Sequence, residues 1–215
     1  MMIKKDLTGL RQEYAAVSLY EHTAHSNPFI QFANWLDQAI MAELPEPNAM
    51  TLASVDHHGK PHARVVLLKE LDERGFVFYT NYNSNKGQEL NRNPHAALVF
   101  LWLELHRQVR VEGLVEKVPE NDSDTYFASR PVSSQLGAIA SPQSTVIRSR
   151  DSLEKQFETI KATLTGKAIK RPDHWGGYRL IPDRFEFWQG RENRLHDRLL
   201  YVSGKDGWTI SRLAP

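Results

Sequence analysis

A series of short alternating segments joined by short turns constrains the fold of this chain more than any other feature. The segments MTLASVD, HARVVLLKEL, FVFYTNY, HAALVFLWLEL and RQVRVEGLVEKV, which all lie between Ala49 and Val118, predict about five strands, and the last alternates apolar and polar residues from Val109. Successive strand residues point to opposite faces of a sheet, so this period predicts half-buried strands. Neighbouring strands joined by short turns pair antiparallel. The sequence therefore predicts an antiparallel sheet that closes, or nearly closes, into a barrel.

Helices and a C-terminal hairpin are predicted around this sheet. Asn27 followed by Pro28 is typical of a helix start, and the apolar spacing continues to about Leu44. A second helix is predicted over 119–129, and a third near Asp151, with Asp151 and Glu154 as its capping box. The C-terminal segment RLLYVSGKDGWTISRL predicts a hairpin that turns at residues 204–207. The expected fold class is mainly β with peripheral helices (α+β), in a single domain over 1–215 with residues 1–25 as a polar arm.

The composition excludes several classes of function. The chain has 215 residues, no cysteine and a net charge of +1. Near-neutral charge gives no bulk electrostatic reason to coat nucleic acid or a membrane, and the lack of cysteine removes disulfides and thiolate chemistry. The first residues contain no apolar core typical of a signal, and no run is long enough to cross a bilayer. We therefore expect a cytoplasmic protein that binds anions only through local clusters.

Three such clusters lie between Arg64 and Ser134. In RVVLLK, strand alternation predicts that Arg64 and Lys69 point to opposite faces, and two exposed charges are the simpler interpretation. In YTNYNSNKG, Thr80, Ser84 and Lys86 are suited to cradle a phosphate, although an ordinary hydrophilic turn fits as well. In YFASRPVSSQ, the phenol of Tyr126, the guanidinium of Arg130 and the hydroxyl of Ser134 are suited to bind a phosphate. An Arg130 that only complements the dipole at a helix C-terminus is equally compatible with this segment.

The fourth cluster is WQGRENRLHDR, which begins at Trp188. Arg194, His196 and Arg198 occupy alternate positions, so a strand would place them on one cationic face, and Trp188 could stack on a flat ring. A salt-bridged surface strand is the alternative. The histidines around His57 surround a predicted turn without an HExxH pattern, so no metal site is expected. A GxSxG nucleophile elbow is also lacking.

Taken in order along the chain, these motifs resemble the pyridoxine (pyridoxamine) 5′-phosphate oxidase family. The matching segments are RVVLLK, YTN..S.K, RQVRVEG, YF.SRP..SQ.GA, SPQS, WGGYR, FWQGR..RLHDR and RLAP, and they extend from about Leu10 to Pro215. The resemblance implies a split β-barrel that binds FMN at a homodimer interface. It also implies oxidation of pyridoxine 5′-phosphate or pyridoxamine 5′-phosphate to pyridoxal 5′-phosphate, with O2 as the final acceptor, H2O2 as a product, and ammonia released from the amine.

The resemblance also assigns residues to roles. The cofactor-binding set is Arg64, Val65, Val66, Leu67, Leu68, Lys69, Tyr79, Thr80, Asn85, Lys86, Gln108, Gln143, Ser144, Trp188 and Arg198, with Gln143 and Ser144 coming from the second subunit. The substrate-binding set is Arg11, Tyr14, Lys69, Tyr126, Arg130, Ser134, Arg194, Leu195 and His196. Arg194 and His196 are also the expected catalytic residues. At Asn85 the family commonly has arginine, so somewhat weaker FMN binding is expected. The arm reads RQEY, where two basic residues often begin it in the family, so the arm departs from the family pattern more than the core site does.

Three other functions are compatible with parts of the sequence. They are a split-barrel flavoprotein with another substrate, a small β-barrel that binds nucleic acid through arginines and aromatic rings, and a carrier of pyridoxal 5′-phosphate without catalysis. The YF.SRP..SQ and RLHDR segments favour the oxidase over the first, because the resemblance places them toward the substrate. Near-neutral charge disfavours nucleic acid.

Overall fold

The computed structural model describes residues 18–215, and within that range the chain forms nine strands and five α-helices. The strands are β1 (Ala49–Val55), β2 (Pro61–Leu67), β3 (Glu70–Asp72), β4 (Gly75–Asn81), β5 (His95–Trp102), β6 (Arg107–Lys117), β7 (Trp175–Gln189), β8 (Asp197–Gly204) and β9 (Gly207–Arg212). The helices are α1 (Pro28–Met41), α2 (Asn85–Arg92), α3 (Glu120–Ser129), α4 (Val132–Ala140) and α5 (Arg150–Leu164), with short 3-10 turns at Leu103–Leu105 and Glu192–Arg194.

The strands are hydrogen-bonded in the order β2-β1-β5-β6-β7-β4-β3, and β8 pairs with both β7 and β9. The chain divides into two compact units built from separated segments. The first unit contains the described residues up to Pro47, Phe100–Arg110 and Arg184–Pro215, and the second contains Asn48–Val99 and Val111–Asp183. Strands β5, β6 and β7 contribute residues to both. The single domain over 1–215 stays a prediction, and most of the predicted polar arm lies outside the described residues.

The second unit has its core on the antiparallel pairs β1–β2 and β4–β7. The predicted hairpin of β1 and β2 is confirmed, with Ala49 opposite Leu67 and Val55 opposite Pro61. Met50 and Leu52 on alternate positions of β1 are almost fully buried, and so are Phe76 and Phe78 on β4. Burial of apolar area contributes about 25 cal/mol per Å², so these alternating side chains stabilise the sheet.

The first unit packs α1 against β7 and its neighbours. The Asn27 side chain accepts a hydrogen bond from the Phe29 amide at 2.9 Å, which confirms the predicted helix start, and the helix ends at Met41. Phe32 and Trp35 lie on its buried face, and the Trp35 ring meets the Phe187 ring edge to face at 5.3 Å. The predicted C-terminal hairpin is also confirmed, since β8 pairs with β9 and Gly204 lies opposite Gly207.

Three local predictions were wrong or incomplete. Helix α5 is capped by Ser149 and Ser152, not by Asp151 and Glu154, because the Ser149 hydroxyl accepts from the Ser152 amide at 3.1 Å. Helices α2 and α4 were not predicted at all.

None of the helices in residues 18–215 combines the length and the apolar character that a membrane-spanning helix needs.

Candidate active site

A cavity of about 840 Å³ lies within the second unit. It collects residues that are far apart in sequence: the end of β2, the end of β4 with the start of α2, the α3–α4 junction, and the start of β7. Its lining residues are Arg64, Val65, Val66, Leu67, Lys69, Tyr79, Thr80, Asn81, Lys86, Tyr126, Arg130, Pro131, Ser134, Gly137, Ala138, Ser141, Gln143 and Trp175. Four of them are cations and none is a carboxylate, so the cavity suits anionic ligands.

Lys86 supplies a positive charge that no carboxylate contacts within the described chain. Its Nζ donates to the Thr80 hydroxyl at 3.3 Å, the Ser84 hydroxyl at 3.5 Å and Gln143 Oε1 at 3.2 Å. Ser84 is the N-cap of α2 and accepts from the Gly87 amide, which fixes Lys86 in the first turn of the helix. Burial lowers the pKa of Lys86, and the charge of Arg64 acts in the same direction. An anion beside the ammonium would relieve both effects.

Arg64 is a cavity cation with an acidic partner. Its Nη2 donates to Glu89 Oε2 at 3.0 Å, and its Nη1 donates to the hydroxyl of Ser54. Glu89 is only 6% exposed and also contacts His62 Nδ1 at 2.5 Å. Burial alone would raise the pKa of Glu89, but hydrogen bonds from Ser54, His62 and Arg64 outweigh it and keep the pKa below its ordinary value. The guanidinium is therefore held in one position on the cavity wall.

Arg130 lies at the opposite extreme, because aromatic rings hold it instead of a carboxylate. Its guanidinium carbon is 4.6 Å from the centre of the Trp175 ring and 5.6 Å from that of Phe127. Its Nη1 atom is buried and has no hydrogen-bond partner among the described residues. Burial lowers the pKa of this guanidinium. A buried charged donor left without a partner costs on the order of 1–3 kcal/mol, so this atom requires an acceptor such as a phosphate oxygen.

The relation of Arg64 to Lys69 differs from the sequence prediction. Strand alternation placed the two side chains on opposite faces, but both line the same cavity. The reason is that β2 ends at Leu67, so Lys69 is no longer subject to the alternation of that strand. The Lys69 amide donates instead to the Val77 carbonyl at 2.9 Å. The neighbouring Leu68 points away into the core and is 6% exposed.

Most of the predicted cofactor and substrate residues of the second unit come together in this cavity. Lys86 and Arg130, 44 positions apart, share its wall. Gln143 lies beside Lys86 of its own chain, whereas the resemblance implied an approach from the second subunit. The predicted residues in this unit that do not line the cavity are Leu68, Asn85 and Ser144. Arg11 and Tyr14 lie outside the described residues, and their predicted role is untested.

The remaining predicted residues, Gln108, Trp188, Arg194, Leu195, His196 and Arg198, belong to the first unit. There the segment after Trp188 is not the alternating strand that the sequence predicted. Glu192–Arg194 forms a 3-10 turn, Asn193 and Arg194 have φ angles of 54° and 61°, and β8 begins only at Asp197. The left-handed backbone at two non-glycine residues costs roughly 1–2 kcal/mol per residue, and such strain is concentrated at functional sites. The predicted alternating strand over residues 194–198 is therefore wrong.

Hydrogen bonds fix the shape of this turn. The Arg191 amide donates to His196 Nδ1 at 3.1 Å, and the His196 ring lies 4.7 Å from the Trp188 ring. Burial lowers the pKa of His196, and the charge of Arg194 adds to the shift. The imidazole is thus biased toward its neutral form, in which Nδ1 accepts and Nε2 carries the proton.

Several lining residues were not predicted. Asn81, Pro131, Gly137, Ala138, Ser141 and Trp175 belong to this group. Trp175 had a signal, because it opens the WGGYR motif, and the small residues of α4 had a weaker one in the segment SSQLGAIAS. Small side chains on α4 leave the volume that the cavity occupies. Within residues 18–215 no group of three or more metal-ligating side chains occurs.

Comparison with known proteins identifies the family. Residues 36–164 match the model of the pyridoxamine 5′-phosphate oxidase family, and residues 175–215 match that of the pyridoxine 5′-phosphate oxidase C-terminal dimerisation region. The chain is 60% identical to a pyridoxine/pyridoxamine 5′-phosphate oxidase of Paraburkholderia phymatum over 97% of this chain and 99% of that one. A Burkholderia thailandensis relative of the same name is 57% identical, with the same coverage.

Two solved structures share the fold. PhzG of Burkholderia lata, in complex with tetrahydrophenazine-1-carboxylic acid, has a TM-score of 0.88 at 30% identity and covers 95% of this chain and 100% of its own. A pyridoxamine 5′-phosphate oxidase-related, FMN-binding protein of Nostoc punctiforme has a TM-score of 0.69 at 16% identity, with coverage of 86% and 97%. The fold is thus the FMN-binding split barrel predicted from the sequence, an antiparallel sheet with peripheral helices. By sequence and by fold, the chain belongs to the pyridoxine/pyridoxamine 5′-phosphate oxidase family.

Proposed function

We propose that the cavity of the second unit is the place where this chain carries out the reaction of its family. The chain is an FMN-dependent oxidase that converts pyridoxine 5′-phosphate or pyridoxamine 5′-phosphate to pyridoxal 5′-phosphate. O2 accepts the electrons and becomes H2O2, and the amine substrate also releases ammonia. The observation that carries the assignment to this cavity is the buried Nη1 atom of Arg130, which lacks an acceptor among the described residues.

The lining residues fit a flavin nucleotide and a phosphorylated pyridine together. Pockets for small ligands commonly have volumes of about 300–1,000 Å³, and this one lies in the upper part of that range. Lys86, Thr80 and Arg64 would hold the FMN phosphate, and the backbone of Val65, Val66 and Leu67 would lie along the flavin. When bound, FMN supplies the acceptor for the hydride that leaves the substrate. The four cations of the cavity match the charge of two phosphate groups.

The substrate phosphate would be bound by Lys69, Tyr126, Arg130 and Ser134. This group is remote from the carbon that is oxidised, so its binding energy orients the pyridine ring for the chemical step. Burial raises the pKa of the Tyr126 phenol, which keeps it protonated and able to donate at neutral pH. Charged hydrogen bonds contribute roughly 1.5–3 kcal/mol each. A pyridine without phosphate would lose most of this orientation.

The roles proposed for residues of the first unit rest on the family resemblance. Arg194 and His196 would contact the substrate ring and its reacting substituent, with Leu195 between them. Gln108, Trp188 and Arg198 would contact the cofactor, as would Asn85 and Ser144 in the second unit. His196 would hold a proton at Nε2, since its Nδ1 already accepts from the Arg191 amide. Arg11 and Tyr14 would close over the bound substrate.

The chain acts as a homodimer, in agreement with the C-terminal dimerisation region matched by residues 175–215. The FMN sites would lie at the interface of the two subunits. The cytoplasmic location expected from the sequence stays a prediction.

Oxygen consumption tests the proposed reaction. The purified protein is saturated with FMN, and oxygen uptake and peroxide release are measured with pyridoxine 5′-phosphate, with pyridoxamine 5′-phosphate and with unphosphorylated pyridoxine as the matched control. We expect equimolar oxygen uptake and peroxide formation with the two phosphorylated compounds, ammonia only from the amine, and a much higher KM for pyridoxine. Absence of oxygen uptake with both phosphorylated compounds would refute the proposed function.

A further inference from the structure

The WGGYR motif opens β7, and its tryptophan lines the cavity without a role in the function proposed so far. We propose that Trp175 is a positioning residue for the substrate phosphate: its indole face holds the Arg130 guanidinium while leaving the N–H donors of that group available to the phosphate. This inference deepens the proposed function and rests on it for the identity of the ligand.

Arg130 is held by an aromatic ring and not by a carboxylate of the described residues. Its guanidinium carbon lies 4.6 Å from the centre of the Trp175 ring, well within the distance of a cation–π interaction. Trp175 is 6% exposed, so the interaction is shielded from water and correspondingly stronger. A carboxylate in the same place would accept the N–H donors and neutralise the charge. An aromatic face does neither, which agrees with the Nη1 atom that has no partner among the described residues.

Trp175 also belongs to a stack of rings with Tyr79 and Tyr126. The rings of Tyr79 and Tyr126 are stacked at 3.9 Å, and Tyr79 is stacked on Trp175 at 5.5 Å. The ring planes of Tyr126 and Trp175 are within 6° of parallel. Tyr126, on α3, is another proposed ligand of the substrate phosphate, so one aromatic cluster orients both its phenol and the Arg130 guanidinium. Offset aromatic pairs of this kind contribute roughly 0.5–1.5 kcal/mol beyond area burial.

The backbone around Trp175 is fixed by hydrogen bonds and leaves room for this ring cluster. Its amide donates to the Pro172 carbonyl at 2.9 Å, and its carbonyl accepts from Arg171 Nη1 at 2.7 Å. A Cβ atom at Gly177 would lie 2.8 Å from Cε1 of Tyr79, a distance that real Cβ contacts do not show. Glycine at this position therefore lets the Tyr79 ring lie against the strand and stack on Trp175.

A role in core packing alone is the competing explanation, since Trp175 also contacts the Phe127 ring edge to face at 5.2 Å. The two explanations differ in what a substitution changes. Loss of packing lowers stability and affects all ligands alike. Loss of positioning weakens the binding of a phosphorylated pyridine and leaves its unphosphorylated counterpart unaffected.

The test uses FMN-saturated protein and the dissociation constants of pyridoxal 5′-phosphate and pyridoxal, measured by equilibrium dialysis. The variants are Trp175→Leu, Trp175→Phe as the conservative replacement, and Trp208→Phe as the matched control; Trp208 packs on Phe185 in the first unit. In Trp175→Leu we expect the dissociation constant of pyridoxal 5′-phosphate to rise about 3–30-fold, as the loss of a shielded cation–π contact implies. That of pyridoxal should stay within about twofold, Trp175→Phe should recover part of the loss, and Trp208→Phe should change neither constant.

Kinetics give the same test in the working enzyme, where KM for pyridoxine 5′-phosphate should rise in Trp175→Leu while kcat stays nearly constant. An unchanged ratio of the two dissociation constants in folded Trp175→Leu would overturn the inference, and so would an equal rise for pyridoxal. If Trp175→Leu does not fold, the same ratio in Trp175→Phe decides the question, with an unchanged ratio counting against the inference. The dissociation constants are measured without turnover, so they test the role of Trp175 even if the wild-type protein is inactive. Inactivity of the wild type would refute the proposed reaction only.

Discussion

Two arginine-rich regions of this chain use the same residue type in opposite ways. In the cavity of the second unit, Arg130 is held by the Trp175 ring, and Lys86 donates to the neutral oxygens of Thr80 and Gln143. In the first unit, two arginines around β8 are matched with carboxylates: Arg191 with Asp197 at 3.1 Å, and Arg212 with Asp197 at 2.8 Å and with Glu21 at 2.7 Å. The partner of an arginine, more than its presence, separates a binding site from a structural network.

Arg64 lies between these two cases and sharpens the contrast. It lines the cavity, yet Glu89, Ser54 and the Leu52 carbonyl already accept hydrogen bonds from its guanidinium. Such an arginine is rigid, and part of its charge is compensated before any ligand binds. We infer that Arg64 chiefly shapes the FMN phosphate site, whereas Lys86 contributes more of the uncompensated charge.

The largest expected effect is that of removing Arg130, which rests on the Trp175 ring and has no carboxylate partner among residues 18–215. Arg130→Ala should raise KM for pyridoxine 5′-phosphate about 10–100-fold, because one or more charged hydrogen bonds of roughly 1.5–3 kcal/mol are lost. FMN content should not change, since Arg130 is assigned to the substrate. The measurement is steady-state kinetics together with flavin absorbance.

Arg191→Ala is the matched control for that experiment. The ion pair of Arg191 with Asp197 is partly exposed, so its loss should lower the melting temperature slightly and leave KM unchanged. An unaltered KM in Arg130→Ala, or a comparable rise in Arg191→Ala, would break the distinction between the two regions.

A pH dependence of FMN binding is the next effect in size. The charged form of Lys86 binds the phosphate, and burial lowers the pKa of Lys86 below its ordinary value of 10.5. As the pH rises through this lowered pKa the ammonium loses its proton, so FMN affinity should fall on the alkaline side at a lower pH than an ordinary lysine would produce. Tyr79, whose pKa burial raises to about 12, stays neutral in this window, and Glu89, whose pKa is lowered, stays charged.

Fluorescence titration of the apoprotein with FMN between about pH 7 and 10 measures this dependence, and riboflavin serves as the ligand without phosphate. Lys86→Arg keeps its charge throughout the range, so its FMN affinity should be nearly flat. A wild-type affinity as flat as that of Lys86→Arg would remove Lys86 from the phosphate site.

The smallest expected effect concerns Asn85, where the family resemblance implies an arginine. Asn85 is exposed, in the first turn of α2 next to Lys86. Asn85→Arg should tighten FMN binding about twofold to fivefold, as exposed charge pairs contribute only about 0.2–1 kcal/mol. Gln88→Arg adds the same charge farther along α2 and should have less effect. Equal gains from both variants in FMN titrations would mean that net charge, and not position, is responsible.

The strands and the helix start at Asn27 were predictable because they depend on local alternation and local caps. Helix α2 was missed because NKGQELNR has one aliphatic residue and an internal glycine, so it has no apolar stripe to detect. The cap of α5 was misplaced by two residues because serine and aspartate are both good N-caps and the sequence offers both.

Site residues that belong to a sequence motif could be predicted. Contacts between residues far apart in the sequence could not. Lys69 joins Arg64 in the cavity because β2 ends at Leu67, and the apolar run of the sequence continues to Leu68 without marking that end. The pairing of Arg212 with Glu21 links positions 191 apart. The role inferred for Trp175 likewise needs the rings of three separate elements, which only the folded chain brings together.

The central claim is that one cavity holds two phosphate groups, one at Lys86 and one at Arg130. A crystal structure of the FMN-saturated protein soaked with pyridoxal 5′-phosphate tests it most directly. The account predicts the FMN phosphorus within hydrogen-bonding reach of Lys86, and the second phosphorus in the same cavity, with a phosphate oxygen accepting from Arg130 Nη1. Density for either phosphate away from these residues, or a pyridine phosphate in a separate pocket, would contradict it.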